Sequence, residues 1–190
     1  MEKKQDRRIS KTKRAIRNSF VKLLAEKEID KITIKEIADG ADVDRKTVYN
    51  YYGGIYDVLG DLQSELATSL EKELDAFDYE NRDIQEVFSV LTKVVKENME
   101  LYSLVMGINN NTVFLTQVVE YLKNRITVII ERRNHQVDVR KIAFAAEYVA
   151  AGMFMAYRSW FHSDKSQSLE EFTYGISRLV LSGVTSFLKE

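Results

Sequence analysis

Arg45, Lys46, Thr47, Tyr49, Asn50 and Tyr51 fall within seven consecutive positions, and their side chains are those that meet a nucleic acid. Cations pair with phosphates or guanine edges, an Asn amide can pair with adenine, and a Tyr hydroxyl bonds phosphate while its ring touches a thymine methyl. Such groups read sequence only when a helix narrow enough for the major groove carries them and a second helix braces it. The flanking residues predict that pair. Thr33-Ile34-Lys35-Glu36 has the capping-box pattern, in which the hydroxyl accepts the amide three residues on and the Glu reaches back. A helix is therefore expected from Thr33, kept short by Gly40, with a second N-cap at Asp44 ahead of Arg45 to Asn50. Ile37, Ala38, Val43 and Val48 would join the two helices and Tyr52 would close the core, leaving the six chemical residues outward. Thr33 is a helix cap first and a phosphate contact second. Tyr49 is expected to be exposed, because Val48 and Tyr52 already fill the inner face.

Other chemistry lacks its parts. The chain has no Cys and two His, His135 and His162, so there is no thiolate metal site and no metal is expected. His162, beside Trp160 and Phe161, reads as a helix cap or surface residue. A Gly-rich phosphate loop, metal-ligand spacing and a nucleophile with a paired base are all missing from the sequence, so the enzyme reading fails and no cofactor is expected. Charge supports a polyanion partner at one end. Residues 1–50 carry 14 Lys and Arg against 9 Asp and Glu, whereas the remainder carries 14 against 20. A basic segment on an acidic body fits local phosphate contact. Arg7, Arg8, Lys11 and Lys13 form either a solubilising arm or one that reaches DNA.

The elements that must position these residues are helical. Among 190 residues there is no Pro and only 8 Gly, while 45% are hydrophobic, which favours long uninterrupted helices around a buried core. Apolar spacing of three and four predicts a first helix from Lys11 to about Lys27, on Ile16, Phe20, Leu23 and Leu24, with Lys13, Arg14, Arg17 and Lys22 on its other faces. Past Gly53-Gly54 a long helix is expected to about Phe77, then helices from Ile84 to Asn98 and at roughly 99–106, 112–133, 138–162 and 169–188. The Gly-Ile-Asn-Asn-Asn run at 107–111 is the strongest loop signal. The expected fold is all-α, with about nine helices: a three-helix helix-turn-helix domain at 1–54 and a larger helical domain at 55–190. Met1 to Arg14 lacks a signal-peptide core. Ile142 to Tyr157 is too short for a membrane span, so the cytoplasm is the expected compartment.

The run from Thr33 to Tyr52 resembles the DNA-binding signature of the tetracycline-repressor (TetR) family over roughly residues 10 to 60. Its marks are the Thr that opens the first short helix, Ile37-Ala38 in its core, Ala41-x-Val43 at the turn, and Thr47-Val48-Tyr49 with an aromatic at Tyr52. The resemblance implies a homodimer on a pseudo-palindromic double-stranded operator, usually a repressor released by a small ligand, with Thr33, Thr47 and Tyr49 touching DNA. Two positions depart from the family pattern. Ile55 stands where a phosphate-binding Lys is common, and Lys46 where a small residue is.

Behind this segment the resemblance implies a ligand-sensing and dimerisation domain at 55–190, and the helical patterns fit it. Ala143, Ala146 and Ala150 in one late helix, and Phe172, Ile176, Leu179, Val180, Gly183 and Phe187 in the last, would build a four-helix interface between two copies. An effector site for a hydrophobic or aromatic molecule is expected among Leu62, Leu66, Leu91, Met99, Tyr102, Met106, Phe114, Val118, Leu122, Tyr148 and Met153, because Met adapts its shape and Tyr adds a polar handle. The competing reading keeps this fold as a co-regulator or activator that works through a protein partner.

Overall fold

A computed structural model describes residues 2–108, 112–133 and 137–189, and these are all-helical. Nine α-helices appear among the described residues: α1 (Glu2–Glu26), α2 (Ile34–Gly40), α3 (Arg45–Tyr49), α4 (Ile55–Asp75), α5 (Glu86–Glu97), α6 (Met99–Gly107), α7 (Thr112–Arg133), α8 (Val139–His162) and α9 (Leu169–Lys189), with a 3-10 turn at Ile29–Lys31. Asn109 to Asn111 of the expected loop, and His135, lie outside the described residues. The chain divides into two compact units, Met1–Glu65 and Leu66–Glu190, and the division falls within α4.

In the first unit α1 begins nine residues before the expected Lys11, so Arg7 and Arg8 stand exposed on a helix and are no loose arm. Nothing in the sequence before Lys11 breaks a helix, and apolar spacing cannot reveal a helical stretch with no buried face. Ile16 and Phe20 of α1 are fully buried, as are Ile37 and Val48 of the two short helices. Gly40 ends α2 tight against α1: an added Cβ would stand 2.3 Å from the Ser19 hydroxyl oxygen and 3.3 Å from its Cβ. After Ala41, Asp42 takes the left-handed backbone conformation, φ 54°, and the Val43 amide returns to the Ala38 carbonyl at 3.1 Å. Asp is among the few non-glycine residues that tolerate this conformation, so the turn needs no second Gly.

In the second unit the aromatic residues organise the core. Tyr102 lies between Phe114 and Phe161, with ring centroids 6.4 and 6.3 Å away, while Phe172 of α9 stacks on Trp160 and meets Tyr157 edge-on. Further along, Ile130, Ile142 and Ala145 form a cluster flanked by Val184, Phe187 and Leu188. Among the described residues no helix is long and apolar enough to cross a membrane. Likewise, no group of three or more Asp, Glu or His there could hold a metal ion.

Candidate DNA interface and effector cavity

Local hydrogen bonds set the starts of α2 and α3. Thr33 caps α2 as the spacing predicts: its hydroxyl accepts the Glu36 amide at 3.3 Å and donates to the Glu36 carboxylate at 2.8 Å, and the same carboxylate accepts the Thr33 amide at 3.0 Å. Lys27 of the preceding segment adds a 2.6 Å contact to Glu36. The Lys27 ammonium, then the Thr33 hydroxyl and amide, hold the Glu36 carboxyl down at about 2. Since the one hydroxyl hydrogen of Thr33 already goes to Glu36, donating to a phosphate would require releasing that partner.

Asp44 occupies the N-cap position of α3 with extended backbone, but its carboxylate makes no capping bond to an amide. Its carbonyl accepts the Thr47 amide at 2.9 Å. From this short helix Arg45, Lys46 and Asn50 are exposed, Tyr49 is 58% exposed, and Val48 is fully buried. Thr47 and Tyr51 are half-buried, so they are corrected from wholly outward to partly packed, as is Val43 from core to half-buried.

A polar hub that sequence spacing could not reveal fixes the far side of this unit. Asp61 on α4 accepts the Tyr52 hydroxyl at 2.6 Å and the Arg17 guanidinium at 2.9 Å, and pairs with Lys13 at 3.4 Å. The Lys13 ammonium also sits 5.2 Å from the Tyr52 ring centroid. Lys13 is therefore engaged inside the protein and is not part of a free basic arm. Burial acts to raise the Asp61 carboxyl, but the hydrogen bonds from Tyr52 and Arg17 and the charges of Lys13 and Arg17 outweigh it and leave it lowered. Burial, then the Asp61 hydrogen bond, pushes the Tyr52 phenol up. The partners lie 9, 44 and 48 residues from Asp61, beyond any local pattern. Where the family pattern often has Lys, Ile55 opens α4 half-buried, and Asp57 accepts the Gly53 amide at 2.7 Å.

The second unit holds a cavity of about 50 Å³ lined by Leu91, Tyr102, Met106, Phe114, Val118, Leu122 and Met153, seven of the residues expected at an effector site. Leu70, Val95, Phe154, Tyr157 and Phe161 complete its wall. The Tyr102 hydroxyl is buried with no partner among the described residues, whereas that of Tyr157 shares a hydrogen bond with Thr173 at 3.1 Å. Four expected lining residues are corrected. Leu62 and Leu66 are buried in the α4 stripe and Met99 is half-buried at the start of α6, none of them on the cavity wall. Tyr148 is 74% exposed on the outer face of α8. A helical stripe shows that a residue faces something, not whether that is a cavity, packed core or solvent.

The expected dimer residues also separate. Ala146 and Ala150 are fully buried and have no surface to give a partner, because small residues let α8 close on its own neighbours. Ala143, Leu179 and Gly183 are exposed; Phe172, Ile176, Val180 and Phe187 are half-buried. Phe144 and Met155 on α8 and Tyr174 on α9 are large exposed apolar residues that the small-residue pattern overlooked. His162 is exposed at the end of α8, its ring nitrogen 2.7 Å from the Arg158 carbonyl oxygen, as expected of a capping surface residue.

A braced, short recognition helix with exposed Arg, Lys, Tyr and Asn, carried on the same chain as a helical unit with an apolar cavity, defines a helix-turn-helix transcriptional regulator. The profile of a family described as the TetR-type transcriptional regulator C-terminal region matches residues 82–182, and the chain belongs to the TetR family of transcriptional regulators. Solved structures share the fold. The dihydroxyacetone kinase operon activator DhaS is 22% identical, with 93% of this chain and 98% of that chain covered and a TM-score of 0.67. The fatty acid degradation regulator FadR from Bacillus halodurans is 19% identical over 90% and 95% of the two chains, also with a TM-score of 0.67. FadR from Thermus thermophilus, a TetR-family repressor solved with lauroyl-CoA, is 22% identical over 90% and 94%, with a TM-score of 0.65. A search of curated proteins finds no match.

Proposed function

We propose that the chain acts as a homodimeric repressor that reads a pseudo-palindromic operator with α3 and leaves it when a small apolar effector occupies the second unit. The carrying observation is the exposed quartet of Arg45, Lys46 and Tyr49 on a helix of five residues and Asn50 at its C-cap, with the inner face locked by Val48. Thr33, Thr47 and Tyr51 flank that quartet as further DNA contacts. One such helix reads few base pairs, so useful affinity needs two half-sites and therefore two copies.

The exposed faces of α8 and α9 support the second copy. Phe144, Tyr148 and Met155 recur along α8 at steps of four and seven, 63%, 74% and 49% exposed. On α9 Gly175, Leu179 and Gly183 follow at steps of four, and Leu179 is 73% exposed. A Cβ added at Gly152, Gly175 or Gly183 meets nothing within 4 Å. Each such Gly weakens its helix by about 1 kcal/mol relative to Ala without serving packing inside the chain, which fits close approach of a partner helix. An apolar effector is supported by the cavity walls, and the Thermus thermophilus regulator of similar fold was solved with an acyl thioester.

Fluorescence anisotropy with duplex DNA from upstream of the chain's own gene tests the reading. A specific complex, competed poorly by unrelated duplex, is the expected result. If no specific complex forms at low salt, the repressor reading is wrong and the partner-mediated co-regulator takes its place.

A further inference from the structure

Three cavities of the second unit lie in a row. The central one, of about 110 Å³, shares Leu91, Leu122 and Met153 with the small cavity beside Tyr102. At its other end it shares Ile84, Ile129, Ile130, Leu181 and Val184 with a cavity of about 170 Å³ that reaches Thr185 and Lys189 near the end of α9. Lining positions advance in register along the helices: Phe114, Val118 and Leu122 of α7 face the inner cavity, Leu122 to Ile130 the central one, and Ile129 and Ile130 the outer one. From Phe114 to Ile130 the row runs roughly 24 Å at the helical rise. A long, narrow, apolar volume of this kind fits an extended hydrocarbon better than a compact ring system.

Polar groups stand at particular points of the row: Tyr102 and Tyr157 in the inner cavity, Tyr79 and Arg125 in the central one, and Thr185 and Lys189 in the outer one. Among the described residues no charged side chain lines the inner cavity, and the Tyr102 hydroxyl there, on a side chain 3% exposed, has no partner. Burial raises the Tyr102 phenol, so it stays protonated and offers a donor. An anion at that end would lose its hydration with no cation to replace it. In the central cavity Arg125 is the charged residue on the wall, and it is ion-paired with Asp75 and lies between the Tyr79 and Tyr121 rings. The Tyr79 hydroxyl is likewise buried without a partner among the described residues.

We propose that the effector is a linear aliphatic molecule ending in one uncharged oxygen acceptor, an alcohol or carbonyl, threaded along α7 with that oxygen on the Tyr102 hydroxyl. The inference rests on the reading of the chain as an effector-controlled regulator. The ligand replaces the missing partner of a buried donor while its body fills apolar space, so oxygen and chain length both contribute.

Trp160, the single tryptophan, packs 5.1 Å from the Phe161 ring that walls the inner cavity, and its fluorescence reports occupancy in the full-length protein. Decane, 1-decanol, decanoate and naphthalene are titrated, with thermal shift as a second readout. Decanol is expected to bind about tenfold more tightly than decane, as one recovered hydrogen bond provides. In Tyr102→Phe that preference falls to about one while decane binding persists, and in the wild type affinity rises with alcohol chain length. Equal binding of decane and decanol, tightest binding by decanoate, or naphthalene binding as well as decanol each overturns the proposal and leaves the regulator reading standing. Silence from all four removes the effector reading and the proposal together, whatever the DNA titration shows.

Discussion

At the scale of single residues, the cap of α2 and the tip of α3 have separable roles. Glu36 is lowered from 4.5 to about 2 by Lys27 and Thr33. A carboxyl lowered in the folded state adds stability that is whole above its unfolded value and disappears as pH falls through the folded one. Thermal melts should therefore show this contribution fading as pH drops from 4.5 to about 2, with the fade flattened in Lys27→Met. Thr33→Ala should cost about 1 kcal/mol at neutral pH by the same melts, and Thr33→Ser should recover most of it. Tyr49, by contrast, is 58% exposed. Tyr49→Ala is expected to leave the melt unchanged and to weaken operator binding by about 1–3 kcal/mol, a typical cost for one base contact. Unchanged affinity in that variant would remove Tyr49 from the interface.

At the scale of elements, the helix-turn-helix depends on a polar clamp and a close contact. Asp61 draws Lys13 and Arg17 of α1 and the Tyr52 hydroxyl to one carboxylate on α4. Asp61→Ala takes the acceptor from the Tyr52 phenol and leaves the Arg17 guanidinium with Glu65 alone, so urea denaturation should show a loss of roughly 1–3 kcal/mol and weakened DNA binding through misplacement of α3. Gly40 makes the turn possible because α2 meets Ser19 where a Cβ would clash. On α9 the logic reverses. Gly175→Ala and Gly183→Ala should stabilise an isolated helix by about 0.5–1 kcal/mol each. Where these positions lie against a second copy they should instead weaken association, which sedimentation velocity would detect as a higher monomer fraction.

For the whole molecule, the distribution of charge and the proposed pairing of two copies set the behaviour. The surplus of Lys and Arg in residues 1–50, against the acidic remainder, puts attraction for DNA at one end of the chain. Operator affinity should fall log-linearly with salt, and Lys46→Ala should reduce the slope by about 0.9 if Lys46 neutralises one phosphate. A slope unchanged in that variant would place Lys46 away from the backbone. Leu179→Glu puts a charge in the middle of the exposed α9 stripe, and the expected result is a folded monomer with normal helicity and little operator binding.

Residues close in sequence made their own structure legible. The capping box at Thr33, the short α3 after Asp44, the exposure of Tyr49 and the helical character of the second unit all follow from interactions within a few positions, where spacing encodes geometry directly. Nothing local marked Asp61 as the partner of Arg17 and Lys13, or separated Ala146, sealed inside the protein, from Phe144, exposed beside it. A helical repeat shows that a face is apolar, but whether that face meets a cavity, a neighbouring helix or solvent depends on which distant segments pack against it. The exposed polar residues Arg45, Lys46, Tyr49 and Asn50 could thus be named from sequence alone, whereas the cavity row, the Tyr102 hydroxyl buried with no partner among the described residues and the outer stripe of α8 and α9 were decided by tertiary packing.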